Sequence, residues 1–171
     1  IRGLEFKPDF IWFKSRSSTS WHAWFDVVRG RAKGLSSNRT NTEYTSGSTQ
    51  DLVSFDDNGF TLGTLYSWGS VNGNSNSIIA YCWKAGGTAV TNNDGSIASQ
   101  VSANPEGGFS IVTYTGNSTA GATVGHGLGK VPNWIIIKGR SVGDNWMVYS
   151  HSYNGYTDAE NRYIELQTTA G

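Results

Sequence analysis

Short apolar runs, separated at close intervals by Gly, Asn, Ser and Asp, set the rhythm of this chain. Phe10 to Arg16 places Phe10, Trp12, Lys14 and Arg16 on one face of an extended strand and Ile11 and Phe13 on the other. Both faces begin apolar, so this strand is expected to be central and covered on both sides. Trp21 to Val28 reads as its partner, reached through Ser17-Ser18-Thr19-Ser20. A short strand is expected near Leu35. Leu52 to Phe55 and Phe60 to Leu65 flank Asp56-Asp57-Asn58-Gly59, and Asn-Gly between apolar runs is a strong hairpin signal. Further strands are expected at Ile78 to Lys84, Phe109 to Thr115, Trp134 to Arg140, Trp146 to Ser150 and Tyr163 to Leu166. No long window carries apolar residues at helical spacing. The pattern predicts an all-β protein built as an antiparallel β-sandwich.

The pattern also repeats itself. Gly3-Leu4 and Gly127-Leu128 open two fifteen-residue stretches that share Pro8/Pro132, Ile11/Ile135, Lys14/Lys138, Arg16/Arg140 and Ser17/Ser141 at the same spacing. With a one-residue gap, Trp21 aligns with Trp146 and Trp24 with Tyr149. The offset has the size of a domain rather than of a solenoid repeat. We therefore expect residues 1–86 to be the last two-thirds of one unit and residues 109–171 to open the next. Residues 87–108 are rich in Gly, Asn and Ser and read as the junction. The strand at Phe109 is expected to complete what 1–86 lacks, lying beside Ile78 to Lys84, so that both segments form one sandwich.

Composition narrows the function classes. The chain has 171 residues, of which 13% are aromatic, and thirteen basic residues balance thirteen acidic ones. The aromatics mark an ordered chain. No basic field exists to hold a phosphate backbone, so nucleic acid is not expected as a partner. No apolar stretch is long enough to span a membrane as a helix. Cys82 is the sole cysteine and lies in the apolar run Ile78 to Trp83, where it reads as a small buried hydrophobe.

The candidate chemistry is thin. Asp56-Asp57-Asn58-Gly59 resembles the opening of a calcium loop but lacks the distal ligands, so it reads as a turn. Asn92-Asn93-Asp94-Gly95 reads the same way. Gly125 to Lys130 fails the spacing of a phosphate loop, and Val131 stands where Ser or Thr is needed. His22, His126 and His151 show no metal spacing. No catalytic residue, metal site or cofactor is expected. The recurring Lys14/Arg16 and Lys138/Arg140 read as strand-end cations that pair with carboxylates such as Asp26 or lie over aromatics. Sugars stack on aromatic faces, and the loop aromatics Tyr66, Trp68, Tyr153 and Tyr156 are the candidate ligand-binding residues.

Gly127 to Ser141 followed by Asn145-Trp146-Met147-Val148-Tyr149 resembles a repeat of large structural proteins of tailed, especially marine, bacteriophages. Phe109 to Gly116, Gly59 to Gly63, Ile79 to Trp83 and Glu165 to Ala170 extend the resemblance over most of the chain. It implies a jelly-roll or concanavalin-lectin-like sandwich in a virion, as a tail fibre or surface-displayed module. Other virion proteins, further copies of the chain and a host surface glycan are the partners it implies. A non-enzymatic module that builds the particle or contacts the host is the leading expectation. A polysaccharide-degrading hydrolase of a phage tail, a lectin-like carbohydrate-binding module and a plain spacer stand beside it.

Overall fold

The aromatic strand beginning at Phe10 lies near the centre of the structure. In a computed structural model describing residues 1–64, 71–151 and 162–168, β1 (Phe10–Ser15) pairs antiparallel on both sides. On one side it meets β2 (Ala23–Asp26), with Phe10 opposite Asp26 and Phe13 opposite Ala23. On the other it meets β7 (Ile78–Trp83), with Phe10 opposite Trp83 and Ser15 opposite Ile78. β3 (Lys33–Ser36) and β4 (Tyr44–Thr45) extend the sheet, giving the order β4-β3-β2-β1-β7. Gly34 belongs there because Tyr44 lies across it. A Cβ at that position would collide with the Tyr44 ring.

Alternation along β1 and β2 gives this sheet two apolar faces, and each is covered. Ile11, Phe13, Ala23 and Phe25 face β5 (Leu52–Asp56) and β6 (Gly59–Leu62), which contribute Leu52 and Phe60. Cys82 packs against this cluster, as its apolar run predicts. β5 and β6 form the hairpin that Asn-Gly signals, with Phe55 opposite Phe60 and Asp56 opposite Gly59. On the other face, Phe10, Trp24 and Leu35 pack with Trp146 from the far end of the chain. Trp12, Trp83, Phe109, Ile111, Ile136 and Leu166 gather around them. The fold is thus all-β, with antiparallel sheets packed face to face as a sandwich, and no helix occurs among the described residues.

The covering layer on the tryptophan face has two parts. β8 (Val90–Asn92), β9 (Ser99–Asn104) and β10 (Phe109–Tyr114) form one sheet in the order β10-β9-β8. Residues 87–108 are therefore not an irregular junction but hold two strands. Their small polar residues hid them, since Ser99 and Ser102 are buried where a strand reading looks for large apolar groups. β10 also does not pair with β7. It pairs with β9 throughout and meets the central sheet face-on, Phe109 stacking on Trp83 at 6.1 Å between ring centroids. Burying Phe109 against Phe10 and Trp83 removes more apolar surface than edge pairing alone would.

The second part is β11 (Trp134–Lys138), β12 (Trp146–Ser150) and β13 (Ile164–Glu165), in that order. Trp134 stands opposite Ser150; subtracting 124 from both numbers gives Phe10 opposite Asp26, the register of β1 and β2. No gap enters, so the ladder places His22, not Trp21, where Trp146 stands, and Trp24 where Val148 stands. A one-residue gap would turn every later side chain to the other face. Trp21 instead lies under the guanidinium of Arg39, 5.3 Å from its ring centroid.

Trp146 joins the two ends of the chain. Its ring meets Trp24 edge-on at 4.6 Å, and it is 2% exposed. Its Nε1 donates to the carbonyls of Ser36 at 3.0 Å and Arg39 at 2.9 Å. Replacing Trp146 with Ala should cost about 3–5 kcal/mol of folding free energy. Trp146→Phe, which keeps most of the area and loses the donor, should cost about 1–3 kcal/mol. Urea unfolding of the purified variants measures both.

Candidate functional site

Side chains of the two ends converge first on an ionic clamp. Arg29, 4% exposed along its side chain, donates from Nε to Asp26 at 2.5 Å and from Nη1 to Glu43 at 3.3 Å. Arg140 reaches the same Glu43 through two bonds, Nε at 2.8 Å and Nη2 at 3.0 Å, and the Glu43 amide donates to the Arg140 carbonyl. Lys138 Nζ donates to the carbonyls of Thr40, Gly139 and Val142. Burial raises the Glu43 carboxyl, but hydrogen bonds from Arg140 and the charges of Arg29 and Arg140 outweigh it and hold the group below its ordinary value. These cations fasten β11 to the loop before β4. Lys14 instead turns to the Ser15 carbonyl.

The other titratable candidates are likewise consumed by structure. Asp56 accepts from Ser54 Oγ at 2.6 Å, Thr61 Oγ1 at 2.8 Å and Arg2, and these partners pull its carboxyl down. It stitches the β5–β6 hairpin rather than opening a calcium loop. Burial pushes the Cys82 thiol up, away from thiolate chemistry. Burial and the charge of Lys14 lower His22. Asn92 Oδ1 accepts from the Asp94 amide at 2.6 Å, a side-chain-closed turn. Among the described residues, no group of three or more His, Cys, Asp or Glu stands close enough to hold a metal ion. Tyr66, Trp68, Tyr153 and Tyr156 lie outside the described residues.

Two shallow grooves meet at Gly86 and Ala103, where β7 leads into β8 and β9. The first, about 410 Å³, is lined by Thr88, Thr91, Asn92, Asn93, Asp94 and Ser102 above a floor that includes Val101 and Gly127. Hydroxyls, amides and one carboxylate line it, the groups that hydrogen-bond a hydroxylated ligand. Gly127 has φ +72°, and a Cβ there would press on Ala103 and Val101, so its absence keeps this floor open. The second groove, about 610 Å³, is lined by Lys7, Asp9, Lys84, Asn104 and Glu106 among others.

Asp9 and Glu106 thus share one groove, an arrangement a glycosidase would need. Asp9 is 3% exposed, however, and its Oδ2 accepts the amides of Ala85 at 2.8 Å and Gly87 at 3.1 Å. It is an anchor for the β7–β8 turn, while Glu106 lies exposed on the turn before β10. Much of both linings comes from the segment 87–108, whose sequence reads as a junction. Asn92, Asn93 and Asp94, read from the sequence as part of a polar turn, belong to the first groove's lining.

A family model described as "Domain of unknown function (DUF7483)" matches residues 1–171, the whole chain. The chain belongs to this DUF7483 family. No curated protein and no solved structure matches it. The family's description carries no activity, so the grooves and the clamp speak for DUF7483 chemistry here only through their own geometry.

Two outcomes follow. The folded pKa of Glu43 is depressed, so its stabilising contribution is present above the ordinary glutamate value, about pH 4, and is lost as pH falls through the folded value. Glu43→Gln should therefore flatten the fall of stability between about pH 5 and about pH 3, read from unfolding midpoints across that range. Asp9→Ala strands the buried Ala85 amide and should cost about 1–3 kcal/mol. Amide exchange at Ala85 and Gly87 should accelerate with it.

Proposed function

We propose that this chain is a non-enzymatic structural module of a tailed bacteriophage particle, in a tail fibre or displayed on the virion surface. The phage setting rests on the sequence resemblance. The observation that carries the structural role is the shared core, in which Phe10, Trp24, Leu35 and Trp146 pack with Phe109, Ile136 and Leu166 from the second half of the chain. Several charged groups are spent on holding structure, across that union or within the first half. Arg140 clamps Glu43, Arg29 clamps Asp26 and Asp9 ties down Ala85 and Gly87. A scaffold needs such locks, whereas catalysis needs a titratable group left poised. The partners of this reading are other virion proteins and further copies of the chain.

A second reading has its own support. The groove beside β8 and β9 offers Thr88, Thr91, Asn92, Asn93 and Asp94 to a sugar's hydroxyls, so a host surface glycan is the ligand class it suits. The hydrolase reading has less, because Asp9 is committed to two backbone amides.

Antibodies against the purified chain should label the particles of the phage that encodes it, and mass spectrometry of those particles should recover its peptides. Its absence from purified particles would overturn the structural reading. A glycan array separates the second: a hit lost in Asn93→Ala and Asp94→Ala supports a lectin-like groove. Release of sugar from host polysaccharide, lost in Asp9→Asn or Glu106→Gln with folding intact, would establish the hydrolase instead.

A further inference from the structure

The hairpin β11–β12 repeats the register of β1–β2 and also the bonds that follow it. The His22 amide donates to Asn38 Oδ1 at 2.9 Å, and the Ser37 amide donates to the His22 carbonyl. Likewise the Trp146 amide donates to Gln167 Oε1 at 2.8 Å, and the Leu166 amide donates to the Trp146 carbonyl. β3 pairs with β2 through Leu35 opposite Trp24; β13 pairs with β12 through Ile164 opposite Val148. Three strands of one design therefore occur twice.

Their surroundings differ. In the first, Ile11 and Phe13 are 0% and 1% exposed beneath the β5–β6 hairpin, and the edge of β1 is bonded along its length to β7. In the second, the matching Ile135 and Ile137 are 38% and 47% exposed. Met147 and Tyr149, opposite them on β12, share that face. β11 is a sheet edge with no strand bonded to its outer side among the described residues. What β11–β12 lacks on its face is supplied to β1–β2 by β5 and β6, and what it lacks on its edge is supplied by β7.

We propose that the outer face and free edge of β11–β12 form an interaction surface for a β-hairpin and following strand of the β5–β7 kind, carried by another unit of this family. The hairpin would lay a Leu/Phe face like that of Leu52, Phe55, Phe60 and Leu62 over Ile135 and Ile137. The strand would take the β7 position beside β11, in the register of Ile11 with Cys82. A second copy of this chain has none to spare, because its own β5–β7 already covers its own β1–β2. This inference does not depend on the virion setting.

The test extends the chain. A second copy of residues 50–84 is fused after Gly171 through a Gly/Ser linker of about twenty residues, which spans roughly 25 Å. The fused protein should stay monomeric, and its Tm should rise by about 5 °C or more. Amide exchange across 135–137 should slow by about tenfold or more. Ile137→Lys should erase both gains in the fusion while leaving the Tm of the 171-residue chain nearly unchanged. An unchanged or lowered Tm, or unchanged exchange in β11, overturns the proposal. So does a dimer of the unfused chain that Ile137→Lys dissolves, since that gives the face to a second copy.

Discussion

A strand pair with apolar side chains on both faces must be an inner layer, and this constraint organises the rest of the protein. β1 and β2 carry Ile11, Phe13 and Phe25 on one side and Phe10, Trp12 and Trp24 on the other. Leaving either side in water would expose several large aromatics, each worth about 1.5–3 kcal/mol when fully buried. One face is closed locally by β5–β6. The other calls on β10, β11 and β12, much later in the sequence. The edge-on contact of Trp24 with Trp146 is the keystone of that second closure.

The ionic clamp takes its meaning from this packing. Glu43 and Arg29 would be costly charges to bury alone, and each has its partner within the same small volume. Because Arg140 comes from the β11 end and Glu43 from the loop before β4, the pair fixes the angle at which one layer lies on the other. Lys138, held by three carbonyls, acts at the same seam. Hydrophobic burial gives the layers their affinity, and directional bonds give them one orientation.

Much of this was legible in the sequence, for reasons that differ by element. Large β-branched and aromatic runs announced β1, β7, β10, β11 and β12, and Asn58-Gly59 announced the turn between β5 and β6. The covering of β1 on both faces followed from Ile11 and Phe13 alternating with Phe10 and Trp12. β9 was missed because Ser99 and Ser102 fill its buried positions, and β8 because it is only three residues long and largely exposed. The Trp21–Trp146 match failed because identity of residue type outweighed the register, and only the ladder shows that His22 holds the place. Asp9 could not be singled out, since its amide partners lie 76 and 78 residues away. The loop aromatics Tyr66, Trp68, Tyr153 and Tyr156 remain sequence-based expectations.

The contact between Trp24 and Trp146 also has a history in time. The two residues are separated by most of the chain, so Trp146 leaves the ribosome long after Trp24. On a ribosome, β1 to β7 can assemble around the Phe13–Phe60 side as soon as residue 83 has emerged. The Phe10–Trp12–Trp24 side must then wait for tens of further residues, added at about 5–20 per second. For those seconds the nascent chain carries the Phe10–Trp12–Trp24 face without the residues that cover it. Whatever stands next to it during that interval, chaperone or neighbouring chain, meets that face before Trp146 does.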